Sequence, residues 1–224
     1  MIKTRNLFPL FLVFTFITSS CALETSTVFK QSVCSPPCWN GIVPGHTGSI
    51  EGIEILAGVP EINQSTLASH EHNDGRGYHA WLFNSSVAQF SGRAYFDKDG
   101  IYVVDLWLDN PITLKRFVEE LGEPGLVSPI SGWADSKYIL ITILYPEKGI
   151  ALTSFDPWFW PDRPFVKVKP NLRIEDIYFF EPSAFFEPDT YYEIYSLASD
   201  DETIQESLQE WSGYGDYTYA EWGE

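Results

Sequence analysis

Tyr138-Ile-Leu-Ile-Thr-Ile-Leu-Tyr145 is the stretch that decides the fold of this chain. Residues 139–144 are apolar apart from one threonine, which is typical of a central strand covered on both faces, or packed by helices on at least one side. Pro146-Glu-Lys-Gly149 then supplies a turn, and residues 150–155 continue as a second strand-like run. The stretch therefore predicts a β-hairpin inside a larger sheet.

The chain before this hairpin also has strand character. Residues 78–83 and 93–96 are rich in aromatic side chains, and Asp97-Lys-Asp-Gly100 leads into an apolar run at 101–108. Asp and Gly supply turn geometry there, and the distal acidic ligands of a calcium loop are missing. This pattern predicts another hairpin. Further strands are predicted at residues 166–168 and 173–180.

Two segments with helical spacing precede the hairpins. The first, at 47–60, has a polar start and an apolar stripe and stops at Gly58 and Pro60. The second is capped by Thr113 and ends at Gly122. Its apolar stripe consists of Leu114, Phe117, Val118 and Leu121. A capping box, Ser199-x-x-Glu202, predicts a last helix that contains Ile204, Leu208 and Trp211.

The order of these elements predicts an α+β fold, in which an antiparallel sheet carries short helices packed on one face. The two early helices also end alike, since Leu56-Ala-Gly-Val-Pro60 parallels Leu121-Gly-Glu-Pro124. This similarity predicts two tandem helix-plus-hairpin repeats, with coincidence as the alternative.

Length and composition indicate one α+β domain at residues 34–212, followed by an acidic aromatic tail at 213–224. The 224 residues are 44% hydrophobic and 16% aromatic, which is enough for a buried core. The formal net charge is −17. Because phosphates would be repelled by such a surface, the composition excludes nucleic acid as a partner.

The amino-terminal residues have the order of an export signal. Lys3 and Arg5 precede an apolar run at 7–17, and small residues follow it. The run is shorter than the roughly 20 apolar residues that a membrane-spanning helix needs. We therefore predict that residues 1–20 are a signal peptide.

The end of this signal is similar to the lipobox of bacterial lipoproteins, which implies that Cys21 becomes the lipid-modified first residue. Thr18 departs from the aliphatic residue usual in that motif. The alternative is ordinary cleavage after Ala22, which would give a secreted protein. With lipidation, residues 21–33 become a tether, and the lipid anchors the protein to the outer face of the cell membrane or to the outer membrane.

Cys34 and Cys38 are the two cysteines left for pairing once Cys21 is lipidated. In an oxidising compartment they are expected to form a disulfide, and the two prolines between them suit a fixed bridge. A redox pair or a copper site completed by His46 is the alternative. The three-residue spacing differs from that of thioredoxin-type dithiols.

Pro37-Cys-Trp-Asn-Gly-Ile-Val-Pro-Gly45 resembles a Pro-Cys-Trp-x-Gly-Ile-x-Pro-Gly segment of uncharacterised bacterial lipoproteins and secreted proteins. That resemblance implies a location and no biochemical activity. The helix-then-sheet pattern is distantly similar to that of small outer-membrane assembly lipoproteins and of tandem-repeat β-lactamase inhibitor proteins. Both groups are non-enzymatic protein binders, but such a likeness concerns the fold alone.

His70, His72, Asp74 and His79 form the one histidine cluster of the sequence. Histidines two residues apart face the same way on an extended chain, so a zinc or copper site, in a metal-binding protein or a metal-dependent enzyme, is one hypothesis. The preferred interpretation is a polar loop, because Asn-Asp-Gly follows and no glutamate stands at metalloprotease spacing.

No catalytic motif is recognisable in the chain. The elbow of serine hydrolases, the phosphate loop and the dinucleotide fingerprint are missing from the sequence. Pairs such as Asp105 with Asp109, or Glu119 with Glu120, invite comparison with glycosidases, but among 31 acidic residues a solvated face is the preferred interpretation. No cofactor is expected.

Aromatic residues cluster at Trp158 and Trp160 and again in the tail. Loop tryptophans provide platforms for sugars or peptides, so they are candidate ligand-binding residues, with edge packing as the alternative. The tail aromatics are Tyr214, Tyr217, Tyr219 and Trp222. The sequence as a whole predicts an exported, lipid-anchored envelope protein that acts without catalysis as a binding or structural module. Its expected partners are the membrane and a protein or polysaccharide.

Overall fold

A computed structural model describes residues 34–84, 90–133, 137–156, 165–195 and 201–221. A ten-stranded sheet in the order β1-β2-β3-β4-β9-β7-β6-β5-β10, with β12 beside β5, dominates the structure, and β8 and β11 form a small second sheet. The strands are β1 (Ala68–Glu71), β2 (Gly77–Leu82), β3 (Phe90–Phe96), β4 (Ile101–Thr113), β5 (Leu126–Trp133), β6 (Lys137–Tyr145), β7 (Ile150–Asp156), β8 (Phe165–Val168), β9 (Arg173–Phe180), β10 (Gln209–Glu210), β11 (Gly215–Thr218) and β12 (Ala220–Glu221).

Few and short helices accompany this sheet. They are α1 (Ser49–Gly58), α2 (Leu114–Leu121), α3 (Pro188–Tyr195) and α4 (Asp201–Ser207), with single 3₁₀ turns at Gln64–Thr66, Pro146–Lys148 and Pro182–Ala184. The predicted α+β class with an antiparallel sheet is confirmed. Within the described residues, no helix is long and apolar enough to cross a bilayer.

Strand β6 lies in the interior of the sheet between β5 and β7, as the apolar run predicted. Its alternate residues enter two separate clusters: Ile139, Ile141 and Ile143 point to one face, and Leu140 and Leu144 to the other. All five are almost completely buried. The run is continuous because both faces of this strand are covered.

The face that receives Ile141 is called here the α1 face. It packs against Leu56 of α1, Leu114 and Phe117 of α2, and Val166 of the small sheet. The opposite face is called the α3 face, and it packs against Ile194 and Tyr195 of α3 and Ile204 of α4. The prediction that the helices pack on one face is therefore correct for α1 and α2. It is wrong for α3 and α4, which pack on the opposite face.

The chain divides into two similar halves. In the first half, α1 precedes four strands that pair in chain order, β1 to β4; in the second, α2 precedes β5, β6, β7 and β9, which also pair in chain order. Strands β4 and β9 meet antiparallel at the centre. A two-fold rotation perpendicular to the sheet would exchange the halves and keep both helices on one face. This arrangement matches the predicted tandem repeats.

Some segments differ from the sequence-based expectation. Part of the polar stretch before residue 77 forms strand β1, which pairs with β2. The last helix stops at Ser207 and includes neither Leu208 nor Trp211. Residues 213–221, expected as a tail, contain β11 and β12, which pair with β8 and β5. These strands are short and polar, and pairing with distant partners defines them.

The segment after the cysteines is built into the α1 face. The backbone N–H of Trp39 donates to the carbonyl of Ile42, and the N–H of Ile42 donates to the carbonyl of Trp39. Both residues are almost fully buried. The indole of Trp39 stacks on that of Trp81, with ring centroids 5.4 Å apart. A fixed start of the domain at this point agrees with the role expected for the cysteine pair.

Candidate functional site

A cavity of about 400 Å³ opens on the α3 face of the first half. It is called here the Asp105 pocket. The residues that matter in its lining are Ala80, Leu82, Ser91, Arg93, Asp105 and Trp107. It combines apolar walls with a few converging polar groups, which is the usual make-up of a ligand site.

Strand register brings these side chains together. Arg93 of β3 lies between Ala80 of β2 and Asp105 of β4, and Ser91 lies between Leu82 and Trp107 in the same three strands. Directly paired residues in an antiparallel sheet project from the same face. The pocket therefore rests on a rigid floor of three paired strands.

Asp105 is the least expected residue of the pocket. It was expected on a solvated face, yet it is 3% exposed, and its Oδ1 has no hydrogen-bond partner within the described part of the chain. Burial raises the pKa of Asp105 well above its usual value, and the charge of Asp176 adds to this effect, while Arg93 and a hydrogen bond from Trp107 oppose it. A buried carboxyl group with one oxygen left without a partner is costly, so it marks a candidate functional position.

Arg93 supplies a cation beside this carboxyl group. Its guanidinium carbon lies 4.6 Å from the ring centre of Trp107 and 5.5 Å from that of Tyr78. One of its Nη atoms donates a 3.2 Å hydrogen bond to the hydroxyl of Tyr95. Among the residues that the structure describes, no carboxylate forms an ion pair with Arg93 within 4.0 Å, which leaves part of the guanidinium fork available.

Asp176 lies next to the pocket without lining it. It faces Trp107 across the β4–β9 pair, while Asp105 faces Tyr178. Its Oδ2 accepts a 2.8 Å hydrogen bond from the hydroxyl of Thr153. Burial raises the pKa of Asp176 to about 6, although that bond acts in the opposite direction. The pocket is thus lined by one buried carboxyl group and not by a pair.

A row of rings continues from the pocket across the α3 face. Successive ring centres lie 4.9 Å apart from His70 to Tyr78, 6.0 Å from Tyr78 to Tyr95 and 6.4 Å from Tyr95 to Tyr102. The Tyr102 hydroxyl donates to the carboxylate of Glu193 on α3 at 3.3 Å. Tyr78 and Tyr95 contact the guanidinium of Arg93, and Tyr102 connects the first half of the sheet with α3.

The structure does not bring the predicted metal ligands together. His70 stacks on Tyr78 on the α3 face, and Asp74 bonds to Arg76 in the turn after β1. His72 is exposed beside that turn, where its backbone N–H bonds to the carbonyl of Arg76. No group of three metal-binding side chains occurs within residues 34–84 or the rest of the described chain.

His79 lies on the other face, where it is buried against Phe96 with ring centres 4.7 Å apart. Its Nε2 donates to the carbonyl of Ser49 at 2.9 Å, and its Nδ1 lies 2.8 Å from the hydroxyl of Ser69. Burial lowers the pKa of His79, against the effect of the Ser49 hydrogen bond. Its hydrogen bonds join α1 to the sheet.

The remaining predicted site residues have different outcomes. Cys34 and Cys38 are joined as a disulfide, with Cα atoms 5.7 Å apart. Cys21, Trp158 and Trp160 lie outside the described residues.

The sequence does not predict the Asp105 pocket, because its residues are scattered through three strands. The available signal was an acid inside the apolar run at 101–108, two residues before a tryptophan on the same face. In the neighbouring strand, Arg93 likewise stands two residues before an aromatic residue, Tyr95, on the same face. Their register was not evident from the sequence, since it depends on the irregular pairing near Tyr95 and Phe96.

Comparison with protein-family models, with curated proteins and with solved structures finds no match to this chain.

Proposed function

We propose that this protein is an exported, lipid-anchored envelope protein that binds a small ligand in the Asp105 pocket. The observation that carries the proposal is the buried carboxyl group of Asp105, whose Oδ1 lacks a hydrogen-bond partner within the described chain and which lines a cavity. A group of this kind is costly to maintain unless something uses it. Binding without catalysis is the simplest use of one carboxyl group and one guanidinium.

The ligand is an apolar molecule with one anionic head group. Trp107 and Leu82 are 43% and 51% exposed, so they offer an apolar surface to the body of a ligand. Arg93 provides donors that suit a carboxylate. Because its pKa is raised, Asp105 is protonated over a wider pH range and then donates as well. Donors therefore converge at one end of an otherwise apolar cavity.

Matched six-carbon probes test this proposal. The mature chain is titrated with hexanoate, hexanol and hexylamine, and binding is followed by ligand-observed NMR. We expect hexanoate to bind most tightly and Arg93→Gln to weaken hexanoate by about tenfold while leaving hexanol unchanged. Trp107→Ala should weaken hexanoate and hexanol together, because it removes the apolar wall.

Phe186→Ala is the matched control for Trp107→Ala, because Phe186 is 65% exposed and does not line the pocket. This variant should bind all probes as the unaltered protein does. Equal affinity for the three probes, or hexanoate binding that neither pocket variant changes, would contradict the proposal.

The anchoring part of the proposal is tested separately. Intact-mass measurement of protein extracted from membranes should show diacylglyceryl and acyl groups on a chain that begins at Cys21. It should also show a loss of about two daltons for the Cys34–Cys38 bridge, reversed by reduction. A chain that begins at Leu23 and has no lipid would indicate secretion instead.

A further inference from the structure

A second concavity, of about 520 Å³, lies where the loop after α2, the turn after β6 and strand β10 meet. It is called here the Glu123 pocket. Its lining includes Glu123, Tyr145, Glu147, Lys148, Glu210 and Trp211. It shares no lining residue with the Asp105 pocket.

The charge of the Glu123 pocket is negative. Three carboxylates, those of Glu123, Glu147 and Glu210, stand against the ammonium group of Lys148. Considering the described residues only, none of the three forms an ion pair within 4.0 Å. Glu123 instead accepts a hydrogen bond from the indole N–H of Trp211. The pocket thus has acceptors that lack a cation.

Tyr145 provides an independent sign of a ligand. It is 3% exposed, and its hydroxyl has no hydrogen-bond partner in the part of the chain that the structure covers. Burial raises the pKa of Tyr145, and the charge of Glu123 adds to that effect. A buried hydroxyl without a partner loses the hydrogen bonds that it had in water, and a ligand in the pocket would restore one.

Aromatic rings border the same pocket. Trp211 stacks on Tyr217 at 6.2 Å and meets Tyr214 edge-on at 5.5 Å. Tyr214 itself is 39% exposed. Aromatic faces and carboxylates together attract cations, since each offers negative potential while the rings also pack on an alkyl stem.

We propose that the Glu123 pocket binds a cationic alkyl group, an ammonium or guanidinium on a short aliphatic stem. The carboxylates provide the attraction, the hydroxyl of Tyr145 accepts a hydrogen bond from the cation, and Trp211 packs along the stem. A free amine and a lysine or arginine side chain of a peptide share this chemistry. The proposal does not depend on the function of the Asp105 pocket.

Calorimetric titration of the mature chain tests the proposal with blocked amino acids. The probes are N-acetyl-lysine amide, N-acetyl-arginine amide and the neutral isostere N-acetyl-norleucine amide. We expect the first two to bind and the third not to bind. Raising NaCl from 0.05 to 0.5 M should weaken binding, because salt screens exposed charges. Pentylamine and the peptide Gly-Lys-Gly then distinguish a free amine from a peptide by which of them binds more tightly.

Three variants locate the binding. Glu147→Gln with Glu210→Gln should weaken binding of the lysine probe by about fivefold. Tyr145→Phe should weaken binding by a similar factor without lowering the unfolding temperature, since only an unpartnered hydroxyl is removed. Glu54→Gln, on the exposed side of α1, is the control and should bind as the unaltered chain does.

Two results would overturn the proposal. One is equal binding of the lysine and norleucine probes, which would show that the cation contributes nothing. The other is the same loss of affinity in Glu54→Gln as in the pocket variants, which would show that net charge and not the pocket attracts the probe.

Discussion

The two halves of the sheet use the α3 face differently. In the second half, Leu140, Leu144 and Phe180 form a closed apolar cluster with α3 and α4. In the first half, the corresponding face holds Arg93 and Asp105 and leaves Trp107 partly exposed. Both halves have the same order of helix and strands, so topology alone does not decide between core and binding surface. What decides is whether helices cover the face.

The largest expected difference concerns one substitution made in each half. Leu140→Ala should lower the free energy of unfolding by about 3 kcal/mol, because Leu140 is 4% exposed and a cavity would remain. Leu82→Ala, at 51% exposure on the open half, should change it by about 0.5 kcal/mol at most. Urea unfolding measures both. Equal losses would show that the open half is packed like a core.

A second test concerns the polar border between the halves. The pKa of Asp176 is about 6 in the folded protein and 3.8 in the unfolded chain. The folded state therefore binds the proton of this carboxyl group more tightly. Its contribution to stability is complete below pH 4 and is lost as the pH rises through 6. The free energy of unfolding should therefore fall by up to about 3 kcal/mol over that range.

Asp176→Asn isolates this contribution. The side-chain oxygen of the asparagine still accepts the hydrogen bond from Thr153, but the amide group does not titrate. The free energy of unfolding of this variant should therefore depend less on pH between 4 and 7. Burial also raises the pKa of Asp105, which acts in the same direction, while the lowered pKa of His79 acts against it. The effect of His79 cancels in the difference between variant and parent. Part of the Asp105 effect does not, because the charge of Asp176 helps to raise the pKa of Asp105, and its loss in the variant reduces the pH dependence further. Parallel pH curves for the two proteins would contradict the assignment.

A third test, with a smaller expected effect, asks whether the two halves differ in packing on the α3 face only. On the α1 face of the first half, a Cβ added at Gly92 would lie 2.3 Å from the buried ring of Trp81. Gly92→Ala should therefore destabilise the protein by about 2 kcal/mol. Gly215→Ala, where nothing lies within 4 Å, is the control and should change little. Differential scanning calorimetry compares them, and a harmless Gly92→Ala would mean that this face is loosely packed.

The smallest expected effect concerns how α3 is joined to the first half of the sheet. Arg76 and Asp189 form a 2.9 Å ion pair between the turn after β1 and α3, with side chains 54% and 57% exposed. Exposed pairs contribute little, so Arg76→Gln should cost about 0.5 kcal/mol or less in urea unfolding. A loss above about 2 kcal/mol would show that charge and not the burial of Ile194 holds the helix.

Local patterns explain most of what could be predicted. The hairpin at β6 and β7, the Asp97 turn and helix α2 follow from apolar periodicity and turn residues within about 15 positions. Strands β1, β11 and β12 lack such a pattern, because they are short, polar and defined by their partners. The Asp105 pocket is unpredictable from local patterns for the same reason. In the sequence Asp105 resembles an ordinary surface acid, and it is buried because β3 and β9 pair on either side of its strand.

The histidine cluster shows the opposite limit, since the metal-site hypothesis depended on nearness in sequence and the polar-loop interpretation was preferred. His70 and His79 sit on strands that pair with each other, yet register places His70 opposite Tyr78, one residue away from His79. A shift of one residue moves a side chain to the other face. His79 is therefore buried in the core, whereas His70 is exposed.

The sequence by itself determined the α+β class, the hairpins and helices α1 and α2, because side-chain period and turn residues act over short distances. Only the tertiary structure decided that Asp105 is buried, that Arg93 lies beside it, and that Glu123 meets Trp211 across 88 positions. Burial and charge environment depend on which segments pair, and the alternation of one strand leaves its partners and register open. Both candidate pockets belong to that second category.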